Sequence, residues 1–255
     1  MRVFKFGGAS LKDAEGIRTV GSIIGLHTDT ELVVVVSATG KSTNLLEKVV
    51  YDYYHQTGNP QQYVDEFELT HLSIIKDLFD PEHNIFHQLN KVSSDLKSIL
   101  STKPNASYDQ IYDSIVSAGE LLSSYIVHAW LNHSGIKTAW LDARSVIKTD
   151  ENFREGRILW NDTLAASKSI IPPLFEESKV VVTQGFLGGT LRGQTTTLGR
   201  EGSDYSAAII SFCLDAENQT IWKDVPGVLN ADPRKFENAI LIDKLSYREA
   251  IEMTY

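Results

Sequence analysis

Short apolar runs alternate with longer amphipathic stretches along most of the chain. Arg2–Phe6 and Leu32–Val36 are such runs, and the second has no polar position, which is typical of a strand buried on both faces. Between them, Asp13–His27 repeats isoleucine and valine at helical spacing. This order predicts an α/β fold, in which helices separate the strands of a mostly parallel sheet.

The same alternation continues along the chain and is interrupted by a helical insertion. Residues 60–102 are predicted to be helical, with Pro60 and Pro81 at helix starts. Further helices are predicted around Leu45–Tyr54, over 109–133, over 157–170 (stopping before Pro172 and Pro173), over Ser203–Leu214 and over Ser246–Met253, and further strands over Ile136–Leu141, Val180–Thr183 and Thr220–Trp222. Ligands of such folds bind beyond the carboxyl ends of strands, so the loops there are the candidate sites.

Composition narrows the class of protein. The 255 residues carry a net charge of −9, which argues against a nucleic-acid-binding protein because those usually show a basic stripe or domain. The N-terminus has no apolar core of the kind found in signal peptides. No apolar run approaches the length of a membrane-spanning helix. Cys213 is the single cysteine. We therefore expect a cytoplasmic protein that binds neither nucleic acid nor a membrane.

The first candidate loop follows the first strand. Lys5 and Phe6 end that strand, and Gly7 and Gly8 follow. The glycines would let backbone N–H groups approach a phosphate, and the lysine adds a positive charge. An ordinary strand-to-helix turn, with Lys5 reaching solvent, explains these residues equally well.

The second candidate loop, Gly40-Lys41-Ser42, resembles the end of a P-loop. Val35 stands where that motif needs its first glycine, so a polar turn at the start of a helix is the better interpretation. Thr43 and Asn44, at the start of that helix, still offer donors to a small ligand.

An acidic residue lies on a half-apolar helix face in a third segment. Glu120 shares its face with Val116, Ser123 and Val127. Such a carboxylate is more often solvated than buried. If it is partly buried it needs a cationic partner, which a ligand ammonium group could supply.

The fourth segment is the most specific. Gly199 and Gly202 flank Arg200, and Ser203 and Asp204 follow at the start of a helix. Arg200 can hold a carboxylate by two parallel hydrogen bonds, and Ser203 or Asp204 is predicted to cap the helix.

A fifth segment carries charged side chains in a turn-rich stretch after the last predicted strand. It contains Lys223 and Asp224 and then Asp232-Pro233-Arg234. Such a loop could bind ribose, a metal or phosphate, but by itself a solvated surface loop is the better interpretation.

Taken together and in this order, these segments resemble the aspartokinases, a branch of the amino acid kinase family. The Thr-Leu-Gly-Arg-x-Gly-Ser-Asp-Tyr segment is the most specific to that branch, whereas the Lys-Phe-Gly-Gly start is shared with other members. The matching residues span nearly the whole chain: Lys5–Gly8, Ser37-Ala38, Thr43–Leu46, Ser117–Glu120, Thr196–Arg200, Gly202–Tyr205, Trp222, Asp224-Val225 and Asp232–Arg234.

The resemblance implies a fold and a reaction. The fold would be a three-layer αβα sandwich with a mostly parallel central sheet. The reaction would be transfer of the γ-phosphoryl group of MgATP to the β-carboxylate of L-aspartate, which gives 4-phospho-L-aspartate, the first step towards lysine, threonine and methionine. The cofactors would be ATP and Mg²⁺, and the full-length protein would be a homodimer.

The resemblance also implies roles for individual residues. Lys5 and Asp204 would be catalytic, with Asp204 orienting Lys5 or another donor near the phosphates. Glu120 would pair with the substrate ammonium group and Arg200 with its α-carboxylate, while Thr43 and Ser203 supply hydroxyl contacts. The nucleotide site would contain Lys5, Phe6, Gly7, Gly8, Lys223, Asp224, Leu229 and Arg234. No metal ligand is assigned directly.

The sequence departs from the family pattern at a few positions. Ala9 stands where the family usually has threonine, Glu201 replaces a common glycine, Lys223 a common threonine and Leu229 a common tyrosine. The family then continues into a Gly-Ala-Lys segment whose lysine helps bind ATP, and usually into ACT-type regulatory domains. We therefore expect residues 1–255 to be a truncated catalytic domain that folds, binds ATP weakly and shows no feedback by lysine or threonine.

Three alternatives remain. The chain could be another amino acid kinase, acting on glutamate, acetylglutamate or a nucleotide, or a non-catalytic amino-acid sensor. A dinucleotide-dependent oxidoreductase is disfavoured because no G-x-G-x-x-G follows any predicted strand.

Overall fold

The computed structural model describes residues 1–254, and the chain divides into two units, Met1–Trp222 and a second that begins at Lys223. The strands, all in the first unit, are β1 (Arg2–Phe6), β2 (Leu32–Val36), β3 (Thr138–Leu141), β4 (Lys148–Thr149), β5 (Val180–Gln184), β6 (Leu187–Thr190), β7 (Thr195–Thr197) and β8 (Asn218–Trp222). The helices of that unit are α1 (Ala14–Gly25), α2 (Ser42–His55), α3 (Pro60–Leu78), α4 (Ile85–Leu100), α5 (Tyr108–His133), α6 (Ala143–Val146), α7 (Trp160–Glu177) and α8 (Gly202–Cys213).

The central sheet has the strand order β3-β5-β2-β1-β8, and every neighbouring pair is parallel. Because successive side chains of a strand point to opposite faces, each strand feeds two cores. In β2, Val34 packs towards one core, whereas Val33 and Val35 pack towards the other. Burial of both faces explains why this strand has no polar residue.

Helices cover both faces of the sheet. The larger core is built from α1 to α5 against one face, and the smaller one from α7 and α8 against the other. The predicted three-layer sandwich with a mostly parallel sheet is therefore confirmed. Lys5 lies in the same alternation as Val3, on the α8 side, which brings its side chain to the start of that helix.

A small second sheet was not predicted. Its order is β4-β6-β7, with β4 parallel and β7 antiparallel to β6. These strands are short and consist largely of glycine and threonine, so they lack the apolar run that identifies β1 and β2. The pairing of β7 with β6 fixes the end of β7, and the segment that carries Arg200 follows directly in the chain.

Three helix boundaries were predicted from prolines, and the structure confirms one of them and contradicts two. Pro60 is the first residue of α3, as predicted, but Pro81 lies in a turn and α4 begins only at Ile85. Pro172 and Pro173 lie inside α7, which continues to Glu177. Both prolines are exposed, so the carbonyl groups that lose an N–H partner can be hydrated instead.

The second unit contains an isolated antiparallel bridge between Leu229 and Leu241 and the helix α9 (Tyr247–Thr254). The predicted helix over Ser246–Met253 corresponds to α9. Among the described helices of the whole chain, none combines the length and the apolar character that a membrane span needs.

Candidate active site

A cavity of about 770 Å³ opens beyond the carboxyl ends of β1, β2 and β5. Loops from separate parts of the chain meet there because parallel strands end at the same edge of the sheet. Its lining includes most of the predicted site residues of the first unit: Lys5, Gly8, Thr43, Glu120, Arg200, Ser203 and Asp204.

Lys5 and Asp204 form an ion pair at the base of this cavity. Lys5 Nζ lies 2.5 Å from Asp204 Oδ1, and the two side chains are 8% and 20% exposed. Asp204 lies in the first turn of α8, where the helix dipole favours a negative charge. The pair holds a nearly buried ammonium group beside the cavity, so Lys5 is not the solvent-directed lysine of an ordinary turn.

Glu120 is buried, contrary to the more common behaviour of a glutamate on a helix. Its side chain is 3% exposed, and Oε1 accepts a hydrogen bond from the Ala38 N–H at 3.3 Å. Within the part of the chain that the structure describes, Oε2 has no hydrogen-bond partner. Burial raises the pKa of this carboxyl group to about 8.

The start of α8 forms another wall of the cavity. Residues 199–204 all line it, and Arg200 is exposed there. Gly199 has φ of +74°, a conformation that favours glycine. The expected capping role of Ser203 or Asp204 is wrong, because the N-cap is Glu201 in a left-handed conformation and both residues lie inside the first turn.

The first turn of α2 contributes Thr43 to the cavity, whereas Lys41, in the loop before that helix, does not line it. Lys41 is exposed and lies outside the lining, while Ser42 begins α2 and its hydroxyl donates to the Thr39 carbonyl at 2.6 Å. The Gly-Lys-Ser sequence is thus a turn at a helix start, as preferred above, and not a phosphate-binding P-loop.

The glycines after β1 have different surroundings. A Cβ atom on Gly8 would lie 2.5 Å from the carbonyl oxygen of Ala38, whereas on Gly7 its nearest neighbour would be Lys5 Nζ at 3.7 Å. The Gly40 N–H also donates to the Gly8 carbonyl at 3.0 Å. Gly8 therefore allows two loops of the site to pack backbone against backbone.

The Phe6 ring lies in the core, stacked on Trp222 with centroids 6.0 Å apart, and does not line the cavity.

Gly8→Ala is expected to destabilise the chain by about 1–3 kcal/mol, because the added methyl group would force two backbone segments apart. For a chain of this size that corresponds to a fall in Tm of about 2–12 °C. Gly7→Ala is the matched control and should change Tm little, since Gly7 has φ of −78°. Equal melting temperatures for the two variants would contradict this reading of Gly8.

Several lining residues were missed by the sequence analysis. Phe186 follows the carboxyl end of β5, where the position of Gly185-Phe186 could have been recognised as a site loop. Residues 152–155 also line the cavity, but they lie in an irregular loop after β4 that carries no recognisable pattern. Their place in the site depends on the second sheet.

The remaining predicted nucleotide residues belong to the second unit. Lys223 and Asp224 follow β8 directly in the chain, and Leu229 pairs with Leu241. Arg234 is exposed and donates from its guanidinium group to the Asp232 carboxylate at 3.0 Å, which lowers the pKa of Asp232. Their roles in nucleotide binding stay predictions.

The fold and this arrangement of charges define the class of protein. The family model of the amino acid kinase family matches residues 1–255, and the chain belongs to that family.

Within the family, the chain is similar to aspartokinases. It is 33% identical to the lysine-sensitive aspartokinase 3 of Escherichia coli, over 98% of this chain and 55% of that protein. It is 32% identical to a bifunctional aspartokinase/homoserine dehydrogenase of Buchnera aphidicola, over 100% of this chain and 32% of that protein. The crystal structure of E. coli aspartokinase III in complex with aspartate and ADP superposes with a TM-score of 0.86 at 29% identity, covering 100% of this chain and 56% of that chain. The chain thus spans about half, or less, of the length of these relatives.

Proposed function

We propose that this chain carries the catalytic site of an aspartate kinase, which transfers the γ-phosphoryl group of MgATP to the β-carboxylate of L-aspartate. The observation that carries the proposal is the buried Glu120 carboxyl group, whose Oε2 atom has no hydrogen-bond partner among the described residues. The similarity to E. coli aspartokinase III, which was crystallised with aspartate and ADP, supports it.

An ammonium group is the ligand that Glu120 lacks. A buried carboxyl group that has lost its hydration needs a donor, and a charged donor favours its ionised form. The α-ammonium group of a free amino acid meets this need. N-Acetylglutamate has a neutral amide at the same position and would leave the carboxylate without a cation, so Glu120 argues against acetylglutamate as the acceptor.

The positive side chains suit the rest of the substrate. Arg200 would bind the α-carboxylate through its two parallel donors. The β-carboxylate is already ionised at neutral pH, so it can attack phosphorus without a general base. One oxygen of this carboxylate forms the new P–O bond while the bond between the γ-phosphorus and the bridging oxygen breaks, and ADP leaves. Lys5 would offset negative charge on the phosphoryl group as it transfers.

Mg²⁺ is proposed to bind together with the nucleotide. No group of three or more histidine, cysteine, aspartate or glutamate side chains among the described residues could hold a metal ion. In kinases Mg²⁺ is commonly held by phosphate oxygens and water with one or two carboxylates, an arrangement that requires no such group. The ion would supply charge neutralisation at the phosphates.

The proposal is tested by trapping the product. Incubation with MgATP, hydroxylamine and one acceptor at a time (L-aspartate, L-glutamate or N-acetyl-L-glutamate) should give an acyl hydroxamate with L-aspartate alone. Equal or greater product from either other acid would assign a different amino acid kinase. Aspartate binding without any hydroxamate would favour the amino-acid sensor.

Arg200→Lys is expected to raise KM for aspartate by about tenfold to a hundredfold and KM for ATP much less. Lysine keeps the charge but loses the fork that binds both carboxylate oxygens, and hydrogen bonds to charged groups contribute about 1.5–3 kcal/mol. Arg192→Lys, on the exposed turn between β6 and β7, is the control and should change neither constant. A larger effect on ATP than on aspartate would place Arg200 in the nucleotide half of the site.

Other expectations follow from the resemblance and are proposed on that basis. Residues 1–255 would be a catalytic domain in which Lys223, Asp224, Leu229 and Arg234 bind ATP, acting in lysine, threonine and methionine biosynthesis as part of a cytoplasmic homodimer. Calorimetry with a non-hydrolysable ATP analogue would measure the nucleotide affinity, and sedimentation equilibrium the oligomeric state.

A further inference from the structure

A second buried carboxylate, Asp113, lies on α5 close to the candidate site. Its side chain is inaccessible to solvent, and it precedes Glu120 by two helical turns. Asp113 does not line the cavity, and the proposed reaction does not use it. A buried acid that touches no substrate requires another explanation.

Asp113 joins two segments that are distant in sequence. Oδ1 accepts a hydrogen bond from the Thr197 hydroxyl at 2.7 Å, and Oδ2 accepts one from the Arg154 N–H at 2.9 Å. Thr197 is the last residue of β7 and precedes Arg200 by three positions. Arg154 belongs to the loop at 152–155, which also lines the cavity and pairs with the Arg200 segment through an isolated bridge between Glu155 and Leu198.

The segment around Arg154 is held in an unusual shape. Arg154 has φ of +68°, a left-handed conformation that costs free energy for any residue with a Cβ atom. The guanidinium group lies over the ring of Tyr112 at 4.4 Å, and the Gly156 N–H donates to the Thr197 carbonyl at 2.9 Å. The hydrogen bond that the Arg154 N–H donates to Asp113 therefore supports a strained backbone that belongs to no helix or strand.

We propose that Asp113 is a positioning residue, whose carboxylate fixes the Arg200 segment and the adjacent 152–155 loop in place and so sets the fit of the amino-acid substrate against them. The inference rests on the proposed function for its substrate. It extends that function by making aspartate affinity depend on a group that the substrate never touches.

Protonation of Asp113 should weaken this support. Burial raises the pKa of Asp113 to about 6, with a smaller contribution from Asp109, while the hydrogen bonds from Thr197 and Arg154 oppose the rise. Charged groups around the neighbouring Tyr112 are the Arg154 guanidinium, which lies over the ring, and Glu47, whose carboxylate accepts a hydrogen bond from the Tyr112 hydroxyl at 2.8 Å. Glu120 lies two turns further along α5. A neutral acid forms weaker hydrogen bonds than a carboxylate, so the two segments should loosen as the pH falls below about 6.

Asp113→Asn and Thr197→Val test the proposal. Asparagine keeps the size of the side chain and lacks the charge, and valine removes the hydroxyl donor. We expect each variant to raise KM for aspartate by roughly threefold to tenfold with kcat nearly unchanged, the scale of one hydrogen bond. The double variant should exceed the larger single effect only slightly, because both changes act on the same contact.

The pH profile and amide exchange separate positioning from a merely structural role. Protonation of Glu120 already raises KM for aspartate as the pH falls below about 8. In the unchanged chain this rise should become steeper as the pH falls through about 6, and in Asp113→Asn the additional steepening should be absent. Hydrogen–deuterium exchange of residues 150–157, measured on the free chain, should be faster in both variants. Ser117→Ala is the control: its hydroxyl is buried on the same helix and donates to the Ser114 carbonyl at 3.2 Å, a contact within one turn of α5, so exchange should not change.

Different results would overturn the role of Asp113 and the proposed function. Amide exchange needs no substrate, so unchanged exchange at 150–157 in both variants would overturn the inference even in an inactive chain. Faster exchange with an unchanged KM for aspartate, or equal changes in KM for ATP and in kcat, would overturn the link to substrate fit. Absence of product in the unchanged chain would instead count against the proposed function.

Discussion

Lys5→Ala is expected to lower kcat by about a hundredfold or more while changing KM for aspartate little. Lys5 lies in the cavity as a nearly buried ammonium group, held 2.5 Å from the Asp204 carboxylate. A charge fixed in this way needs no reorganisation when negative charge moves during phosphoryl transfer, and loss of one such donor typically costs that much. The measurement is steady-state kinetics of acyl hydroxamate formation.

Lys41→Ala is the matched control for Lys5. Lys5 lies near the end of β1 and Lys41 in the loop after β2, at the same edge of the sheet. Lys41, however, is exposed and does not line the cavity. Its replacement should leave kcat within about twofold. If Lys5→Ala kept nearly normal kcat, Lys5 would have no part in the chemical step.

Glu120→Gln is expected to weaken aspartate binding by about a hundredfold and at the same time to stabilise the free chain. Glutamine can still accept the hydrogen bond from the Ala38 N–H, which the structure gives to Oε1. It cannot offer a negative charge to the substrate ammonium group, and loss of one member of a buried charge pair costs about 2–5 kcal/mol. Calorimetry with aspartate measures the first effect.

The stabilisation follows from the raised pKa of Glu120. The carboxyl group has a pKa of about 8 in the folded chain against 4.5 as its ordinary value. The folded chain therefore holds the proton more tightly, and the free energy of unfolding falls as the pH rises between these two values. The slope is about 1.4 kcal/mol per pH unit, so at pH 7 the variant should be more stable by about 3 kcal/mol.

Thermal unfolding between pH 4 and pH 9 provides the test. The advantage of Glu120→Gln should be absent near pH 4 and should grow to about 6–12 °C in Tm by pH 7. Glu66→Gln, on an exposed position of α3, is the control and should follow the unchanged chain. A less stable Glu120→Gln variant at pH 7 would show that Glu120 has a cationic partner in the free protein. With saturating aspartate the unchanged chain should become the more stable of the two, because aspartate binds the ionised Glu120 carboxylate.

The strands of the central sheet and most helices could be predicted because their signals are local. The bounds of β1 and β2 agree with the apolar runs, since burial on both faces permits no polar residue there. The error at Pro172 and Pro173 also came from a local rule, that proline interrupts a helix. Both prolines are exposed and α7 continues through them to Glu177, so packing of the rest of the helix overrode that rule.

The sequence by itself determined which chemical groups the protein brings to the site: a lysine beside paired glycines, an acid on α5, and an arginine between two glycines before α8. It also determined the class of fold, because strand and helix periodicities are properties of short segments. What only the tertiary structure decided is the state of those groups. Burial leaves Glu120 without its hydration and raises its pKa, and contacts across α5, β7 and the 152–155 loop give Asp113 its two donors. These properties depend on residues far apart in the chain, and desolvation and hydrogen bonding act only once folding has brought them together.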